Sequence, residues 1–583
     1  MWDVEVVLIV VLCVLAIAAG NLLAPRLRIA APLLLVLFGV GVSYFPGVPR
    51  ISVNPEIVLV GVLPPLLYAA AVAMPSMEFK RDFRAISGLS VVLVIVSALG
   101  LGVVFMWILP DADYATGVAL GAILSPTDAV ATTTVKRVGA PNRLITVLSG
   151  ESLFNDASAL VMLRAAIAAM AASVSLWGVA VSFVWTVVAA VVVGSIVGWV
   201  FVWLRARIAN PAVATAVSFV TPYVAYLPTE LVEGSGLVAA VAAGLVAGRG
   251  AVRHLTAAHR LSDVQNWRMV ELLLEGSVFL LMGLELKDLV FDVHESDETV
   301  WHAVWPAAVG FVLLIVLRLI FVIPLVHWTE RRAQRVIARE ERLEQLQTDL
   351  ADADHLDTGR LRVVQGRIDR RLADIAYYRA ESIGTREGFV VVWAGMRGVV
   401  TLAAAQTLPA DTPYRSMLVL LAFFVAVGSL LIQGGTLAAF VRWMRLPDHG
   451  AQEMQQRRAI GRELAVVTDR VMRAPDACGA DSELASTIEA VRRLEAVDGD
   501  EERGDEERGD GADDGRLDEI MIDRRLETAR QMRHVRRLIV AEQRRRLLEL
   551  RETGAYSSSA LTVALDRLDA EELSLDAQAP VKD

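Results

Sequence analysis

Charged residues stand inside apolar stretches of this sequence, where a membrane span would normally exclude them. The segment LSPTDA at residues 124–129 places Asp128 two residues after Pro126. A proline inside a helix removes one hydrogen bond and clashes with the preceding turn, so this segment predicts a broken helix. Such a break frees carbonyl oxygens and helix ends, which can coordinate cations at membrane depth. The alternative is a simple proline kink, with Asp128 capping the second half-helix.

A second segment, GESLFND at residues 150–156, combines two carboxylates, a hydroxyl and an amide. Residues four positions apart share one face of a helix, so Ser152 lies with Asp156 and Glu151 lies with Asn155. The first pair offers a hydroxyl and a carboxylate to one ligand, and oxygen-only ligation suits a hard cation. The alternative is that these groups only hold helices together, although a charge at the centre of a span costs roughly 2.5–3.5 kcal/mol.

Two arginines also stand in apolar stretches. They are Arg318 and Arg397, and the second lies in GMRG at residues 395–398. Each must face an acid or a water-filled cavity. Set against the three acids Asp128, Glu151 and Asp156, the two bases leave one acid in excess, a balance that suits one transported cation or proton. None of the eight histidines lies at mid-span, which leaves proton handling to carboxylates.

The composition divides the chain of 583 residues into two parts. Residues 1–445 carry 34 basic and 34 acidic residues, whereas residues 446–583 carry 22 basic and 32 acidic residues and the whole net charge of −10. With 55% hydrophobic residues and a mean hydropathy of +0.49, the first part is predicted to be a membrane domain and the second a charged tail. This pattern excludes a single soluble enzyme and a basic nucleic-acid binder. The two distant cysteines exclude a disulfide-stapled secreted protein.

The apolar runs predict an all-α polytopic membrane protein with about thirteen transmembrane helices, since a span needs about 20 apolar residues. The first run follows Asp3 and Glu5, and is therefore predicted to be a retained span and not a cleaved signal peptide. The thirteen predicted spans are Val6–Leu23, Ile29–Phe45, Glu56–Ala73, Ala85–Leu109, Tyr114–Thr134, Leu144–Ala172, Ser175–Trp203, Ala212–Leu227, Val232–Gly248, Met269–Leu286, Trp301–Trp328, Gly388–Leu408 and Ser416–Met444. Glu285, near the end of the tenth span, is predicted to reach water.

The loops between these spans alternate in charge. Five short loops hold fourteen basic residues, whereas the loops between them hold only Arg50 and Lys287. The positive-inside rule then places the N-terminus outside the cell and the tail in the cytoplasm. The fourteen basic residues are Arg26, Arg28, Lys80, Arg81, Arg84, Lys136, Arg137, Arg143, Arg205, Arg207, Arg249, Arg253, Arg260 and Arg268.

Two polar regions are predicted to lie in the cytoplasm. The insertion at residues 329–387 has heptad-like apolar spacing on both sides of Gly359, which fits a helical hairpin or, equally, a solvated coil. The tail is predicted to form helices at residues 452–472, 482–494 and 517–551, with an acidic, disordered low-complexity segment at 497–516. The arginine-rich helix 517–551 suits binding to anionic lipid, to the acidic segment or to another subunit, or is a plain solvated tail.

Taken together, SPTD at residues 125–128, GESLFND at 150–156 and GMRG at 395–398 resemble bacterial sodium/proton antiporters. These antiporters form part of the monovalent cation:proton antiporter-1 family, which includes the animal sodium/hydrogen exchangers. The resemblance covers residues 1–445 and implies two inverted six-helix repeats, whose broken helices, the fifth and twelfth spans, cross at the site. It also implies a homodimer in the bacterial inner membrane, with a core domain that moves in elevator fashion.

The resemblance also implies roles for individual residues. Asp156 would carry the ion, and Asp128, Thr127 and Ser152 would complete a Na+ site. Asn155 stands where electrogenic relatives have a second aspartate, which implies electroneutral one-for-one exchange.

The resemblance further implies a structural ion pair. It would join Glu151 to an arginine, Arg318 in preference to Arg397, and Arg397 would then compensate the facing half-helix ends. One departure is Ala69, which follows LPPLLY at residues 63–68 where many members have an acid. An accessory contact to the cation would then be missing.

The predicted function is secondary active exchange of Na+, or of Li+ or K+, for H+, with no cofactor, no enzymatic activity and no nucleic-acid partner. The alternatives are a K+/H+ antiporter, a channel or sodium-coupled solute symporter on the same plan, and an intramembrane aspartyl protease. A symporter needs a polar cluster for its solute, and a protease of this kind needs a Gly-x-Gly-Asp sequence; the sequence offers neither. It also has no Gly-x-x-x-x-Gly-Lys-Ser/Thr loop for ATP-driven transport.

Overall fold

A computed structural model of the chain describes residues 4–27, 29–45, 54–109, 112–171, 176–295, 299–351, 358–381, 383–446, 450–473 and 514–577. All regular structure in these ranges is helical, which confirms the predicted fold class. The α-helices are α1 (Val4–Leu27), α2 (Ala31–Ser43), α3 (Leu63–Ala73), α4 (Ser76–Ser87), α5 (Leu93–Ile108), α6 (Tyr114–Leu124), α7 (Val130–Arg137), α8 (Asn142–Ala171), α9 (Leu176–Arg205), α10 (Pro211–Leu231), α11 (Gly236–His254), α12 (Ala257–Glu295), α13 (Trp301–Ile337), α14 (Glu340–Ala351), α15 (Thr358–Ala380), α16 (Thr385–Trp393), α17 (Val399–Gln406), α18 (Arg415–Ser429), α19 (Gly435–Met444), α20 (Gly450–Arg473), α21 (Asp514–Thr553) and α22 (Ser558–Ala577). Three π-helical stretches, Ile57–Val62, Gly88–Val92 and Leu430–Gly434, lead into α3, α5 and α19.

Eight helical segments in the described residues are long and apolar enough to cross a membrane. Other predicted spans correspond to shorter apolar helices, such as α2 with 13 residues and α6 with 11. The count of thirteen spans and the inverted repeat therefore stay predictions. The eight segments are Val10–Leu27, Ser76–Ile108, Asn142–Met170, Trp177–Arg205, Pro211–Leu231, Gly236–His254, Trp301–Asp349 and Arg415–Met444.

Two apolar helices are interrupted, as the sequence predicts for the first of them and the family resemblance implies for the second. Helices α6 and α7 are separated by an irregular stretch at residues 125–129, which contains Pro126. Helices α16 and α17 are separated at residues 394–398, where Gly395 and Gly398 bracket Arg397. The proline cannot donate the hydrogen bond that would continue α6, and glycines weaken the second helix at the corresponding place.

One long helix of the apolar region differs from its prediction. Helix α12 has 39 residues and extends well beyond the predicted span Met269–Leu286 at both ends. A span predicted from hydropathy ends at the first charged residues. The helix itself continues, because backbone hydrogen bonding extends through polar residues whose side chains find partners. Asp263, in the added first part, is paired with Arg205 from α9.

The apolar core lies in two clusters. The larger one joins α5, α6, α8, α13 and α18, and includes Leu101, Phe105 and Phe423. The second joins α3, α9, α10 and α11 around Tyr68 and Ala69, so Ala69 is buried in apolar contacts. A Cβ atom added at Gly194 would lie 2.2 Å from the Ala239 carbonyl oxygen, because α9 and α11 pack with their backbones in contact.

The predicted insertion at residues 329–387 is helical where it is described, which favours the hairpin over the coil. Helix α13 continues to Ile337 and is followed by α14 and α15. Gln347 Nε2 donates to Asp369 Oδ1 at 3.2 Å across the two helices.

The chain divides into two compact units, Met1–Leu346 with Asp374–His449, and Gln347–Ala373 with Gly450–Asp583. In the second unit, the helices predicted at 452–472 and 517–551 are confirmed as α20 and α21. They are joined by a small apolar cluster of Val467, Val471 and Val535. The predicted helix 482–494 lies outside the described residues, as does the acidic segment 497–516 except for residues 514–516, which begin α21.

The arginine-rich helix α21 is engaged with acids of its own unit. Arg544 forms an ion pair with Asp569 at 2.6 Å, and Arg546 forms one with Glu463 at 3.0 Å. These arginines therefore have partners inside the tail, although the sequence also suggested lipid or a second subunit for them.

Candidate ion-binding site

The breaks in the two interrupted helices meet each other. The Asp128 backbone N–H donates to the Met396 carbonyl oxygen at 2.7 Å. Arg397 Nε donates to the Leu124 carbonyl oxygen at 3.0 Å. The second break thus supplies an acceptor for a backbone N–H of the first break and a donor for the last carbonyl oxygen of α6.

Arg397 lies at this meeting point and is 3% exposed. Besides Leu124, its guanidinium also donates to the Gly395 carbonyl oxygen. Leu124 is the last residue of α6, and the carbonyl end of a helix carries a partial negative charge that a cation compensates. The Arg397 backbone N–H donates to Ser429 Oγ at 2.8 Å, a contact that no pattern in the sequence indicated.

Arg318 forms a buried ion pair with Glu151. Its Nη2 lies 2.7 Å from Glu151 Oε2, and its Nη1 contacts Oε1. Arg318 Nε donates to the Val391 carbonyl oxygen at 3.0 Å, in the last turn of α16. The pair therefore ties α8, α13 and the first half of the interrupted helix together.

Thr127 and Asn155 connect the first break to α8. Asn155 Nδ2 donates to Thr127 Oγ1 at 2.5 Å, and Thr127 Oγ1 donates to Glu151 Oε1 at 3.3 Å. The face shared by Glu151 and Asn155, expected from their spacing, thus points at the break beside Pro126. Thr127 links the break to the ion pair.

Two buried oxygen atoms at this place accept no hydrogen bond from any described residue. They are Asp128 Oδ2 and Asn155 Oδ1. The other oxygen of Asp128, Oδ1, accepts from the Val130 N–H at 3.2 Å. Burying a polar atom without a partner is costly, so an acceptor left in this state is available to a ligand that supplies positive charge or a proton.

The glycine at the end of the second break makes room for this carboxylate. A Cβ atom added at Gly398 would lie 2.2 Å from Asp128 Oδ2 and 2.6 Å from its Cγ. Only glycine leaves space for the carboxylate as it stands. Gly398 is needed here because the Asp128 carboxylate lies close to its Cα atom, and not because the backbone is strained.

Asp156 is buried, with 7% of the residue exposed, and forms no hydrogen bond or ion pair within the described part of the chain. Ser152, which shares its helix face, donates its hydroxyl to the Ser149 carbonyl oxygen at 3.3 Å, in its own helix. The structure therefore joins Thr127, Asn155 and Asp128 around the break. Asp156 and Ser152 lie on the same helix as Asn155, without a direct bond to that group.

A second group of buried charges was not recognised in the sequence, and we name it the Arg143 cluster. Arg143, counted among the loop residues, is instead 3% exposed at the start of α8. Its Nη2 lies 2.8 Å from Asp82 Oδ1, and its backbone N–H donates to Glu381 Oε2 at 2.6 Å. Tyr377 Oη donates to Asp82 Oδ2 at 2.9 Å. Burial, and then the charge of Asp82, raises the pKa of Tyr377 well above its usual range.

The contacts in the structure correct two other expectations from the sequence. Glu285, predicted to reach water, is 6% exposed and accepts from Gln406 Nε2 at 3.0 Å. The end of α17 covers it, which a reading of one span at a time cannot show. Arg205, counted as a loop residue, is buried and paired with Asp263.

An all-helical bundle with two interrupted apolar helices meeting beside buried carboxylates is typical of secondary transporters. The family model of the sodium/hydrogen exchanger, transmembrane, matches residues 9–443. This match covers most of the chain, and the chain belongs to the sodium/hydrogen exchanger family. It is therefore a membrane transporter of the cation/proton antiporter class and not an enzyme.

Individual relatives agree with this assignment. An uncharacterised Na+/H+ exchanger of Escherichia coli K12, YjcE, is 29% identical over 465 residues, 76% of this chain and 78% of that protein. A sodium, potassium, lithium and rubidium/H+ antiporter of Bacillus pumilus is 30% identical over 303 residues, 50% of this chain and 45% of that protein. The sodium proton antiporter MjNhaP1 of Methanocaldococcus jannaschii shares the fold with a TM-score of 0.54 at 17% identity, over 75% of this chain and 98% of that structure.

Proposed function

We propose that the protein exchanges Na+, or another alkali cation, for H+ at the meeting point of its broken helices. The observation that carries this proposal is the pair of buried acceptors without donors, Asp128 Oδ2 and Asn155 Oδ1. The residue after Asn155 is Asp156, a buried carboxylate that has no hydrogen-bond or ion-pair partner among the described residues. A cation or a proton supplies what these oxygens lack.

The proposed ligands are oxygen atoms, as a hard cation prefers. We assign Na+ to Asp156 and Asp128, with Thr127 and Ser152 as further ligands and Asn155 beside them. In this assignment the Ser152 hydroxyl, now bonded to its own helix, turns toward the ion. Cation and proton exclude each other because both bind the Asp156 carboxylate.

The charges support one-for-one exchange. The charges of Glu151 and Arg318 neutralise each other, and the Arg397 guanidinium donates its hydrogen bonds to backbone carbonyl oxygens. Among the charges of the motifs, the two carboxylates Asp128 and Asp156 are then set against the single positive charge of Arg397, which leaves one negative charge. One monovalent cation or one proton balances it equally well, so a full cycle moves no net charge.

Family membership supports the rest of the cycle that we propose. The core domain alternates between two access states in elevator fashion within a homodimer in the bacterial inner membrane. The N-terminus lies outside, and the tail lies in the cytoplasm. The alternation of basic loops supports this orientation.

The name of the Bacillus pumilus relative includes potassium, lithium and rubidium besides sodium, which supports a K+/H+ antiporter as the second candidate. No described feature favours the sodium-coupled solute symporter. Flux measurements with Na+, Li+ and K+ are therefore needed to identify the transported cation.

The test is dissipation of an imposed pH gradient in proteoliposomes on addition of Na+, Li+ or K+, with an ionophore that clamps the voltage. Asp156→Asn is compared with Asp113→Asn, because Asp113 caps α6 through Thr116 and asparagine preserves a cap. We expect flux with at least one cation that is indifferent to voltage, is lost in Asp156→Asn and persists in Asp113→Asn.

Several results would contradict this proposal. Folded protein without cation-dependent proton flux would exclude antiport. Flux that responds to voltage would exclude one-for-one exchange. Flux that survives Asp156→Asn would remove Asp156 from the site.

A further inference from the structure

An open pocket lies between α4, α13 and the start of α8, away from the broken helices. Four arginines line it, and Asp82 is the only acid among the described residues of its lining. The arginines are Arg81, Arg84, Arg143 and Arg332. The pocket is shallow and opens to the surface.

The four arginines are not equivalent. Arg143 is held by Asp82 and Glu381, and Arg81 Nε is paired with Asp374 at 2.6 Å. Arg84 and Arg332, by contrast, form no ion pair or side-chain hydrogen bond with any residue that the structure describes. Two positive charges that need no partner for folding therefore face one pocket.

The surroundings are those of a membrane surface. Trp328, in the pocket lining, follows the apolar part of α13 and is 42% exposed, with Arg332 Cζ 5.9 Å from its ring centroid. Phe83, next to Arg84, is 51% exposed at the start of the apolar segment Ser76–Ile108. Exposed tryptophan at the end of a span is typical of the headgroup region. Basic pockets between membrane helices bind lipid headgroups on the cytoplasmic side.

We propose that this pocket binds the phosphate group of an anionic membrane lipid, with Arg84 and Arg332 as the residues that hold it. Arginine presents several N–H donors in a fixed plane, which suits phosphate oxygens. The ring of Trp328 lies beside the site, where the glycerol and upper acyl chains of such a lipid would run. The ion pairs of Arg81 and Arg143 keep the wall of the pocket in place, so lipid is not required for folding.

The test measures the thermal unfolding and native mass spectra of the full-length protein in a neutral detergent. Cardiolipin, phosphatidylglycerol, phosphatidylcholine and inorganic phosphate are each titrated. The double variant R84Q/R332Q is compared with R331Q/R335Q, since Arg331 and Arg335 are exposed on the same helix but outside the pocket lining. Both pairs of substitutions remove the same charge.

We expect the anionic lipids, and not phosphatidylcholine, to bind the native protein and raise its unfolding temperature. Each arginine removed from the pocket should lower the apparent lipid affinity about fivefold, and R84Q/R332Q about 25-fold. The R331Q/R335Q variant should bind like the native protein. Unfolding temperatures without lipid report whether each variant is folded.

Three results would overturn the proposal. An equal loss of affinity in both double variants would show a diffuse electrostatic attraction and no site. Equal binding of phosphatidylcholine would remove the role of the phosphate charge. Stabilisation by inorganic phosphate that matches the lipids and depends on Arg84 and Arg332 would assign the pocket to a free anion.

Discussion

The charges at the meeting point of the broken helices and those of the Arg143 cluster are buried to a similar degree but held in different ways. In the Arg143 cluster, both oxygens of Asp82 accept hydrogen bonds, from Arg143 and from Tyr377. At the broken helices, Glu151 is paired in the same manner, yet Asp128 keeps one oxygen without a donor.

This difference separates structural charges from available ones. Removing one partner of a buried pair leaves an uncompensated charge, which costs about 3–5 kcal/mol, so a satisfied cluster holds helices in place. An unsatisfied acceptor contributes no such bond and costs stability instead. At the meeting point of the broken helices, the ligand that we propose for this acceptor is a cation or a proton.

Among the variants that test this difference, Asp128→Asn is expected to have the largest effect, because it removes the charge of the unsatisfied carboxylate. Cation-dependent proton flux in proteoliposomes should fall by more than about 100-fold, on the scale of losing a principal electrostatic contact. The unfolding temperature should not fall, because no salt bridge is broken. Added Na+ should stabilise the native protein and not the variant, by mass action. Unchanged flux, or stabilisation by Na+ in both proteins, would contradict the assignment.

Arg143→Leu should act in the opposite way, on stability and not on cation affinity. Asp82 would be left as a buried charge without its main partner, at a cost of about 3–5 kcal/mol. Thermal unfolding of purified protein measures the loss, and Arg331→Leu, at an exposed arginine, serves as its control. Folded Arg143→Leu protein should keep the native cation concentration for half-maximal flux. A shift of that concentration would place the cluster in the transport site.

Gly398→Ala tests the geometry of the unsatisfied carboxylate without changing any charge. The added methyl group would lie 2.2 Å from Asp128 Oδ2, so the carboxylate must move. A displacement of about 1 Å at a reacting group can lower a rate about 100-fold. The control is Gly428→Ala, where a Cβ atom meets nothing within 4 Å. Equal flux in the two variants would show that the position of Asp128 is not critical.

The smallest effect is expected from Tyr377→Phe, which removes one donor to Asp82 and should cost about 1 kcal/mol. The pKa of Tyr377 is raised in the folded protein by burial and by Asp82. The Tyr377 phenol therefore contributes its full stabilisation below its pKa in the unfolded state, about 10. This stabilisation is lost as the pH rises through its pKa in the folded state. Unfolding at pH 6, 8 and 9 should give the same difference between native protein and variant. A difference that shrinks between pH 6 and 9 would mean that Tyr377 ionises in that range.

The fold class and the first helix break were predictable because their causes are local. Pro126 ends α6 wherever the helix is placed, and long apolar runs form membrane helices because lipid offers the backbone no other partner. The ends of the helices were less predictable. Helix α12 continues through charged residues because Asp263 finds Arg205 on another helix, which hydropathy along one segment cannot register.

The candidate site was predictable in its residue types and less so in its contacts. The spacing of GESLFND placed Glu151 and Asn155 on one face, and that face does meet Thr127. Ser429 and the Met396 carbonyl oxygen gave no signal, since a serine in an apolar run and a backbone oxygen look like any other. The roles proposed for Asp156 and Ser152 stay predictions.

By itself the sequence determined that this chain spans a membrane, that one of its helices breaks beside an aspartate, and that it carries one more buried acid than base in the motifs. The tertiary structure decided which charges neutralise each other. Glu151 had two candidate arginines and is paired with Arg318, 167 residues away, and Arg143 is held by Asp82, 61 residues away. The physical reason is that a buried charge must be compensated by whatever group packing brings within about 3 Å, and distance along the chain does not enter that requirement.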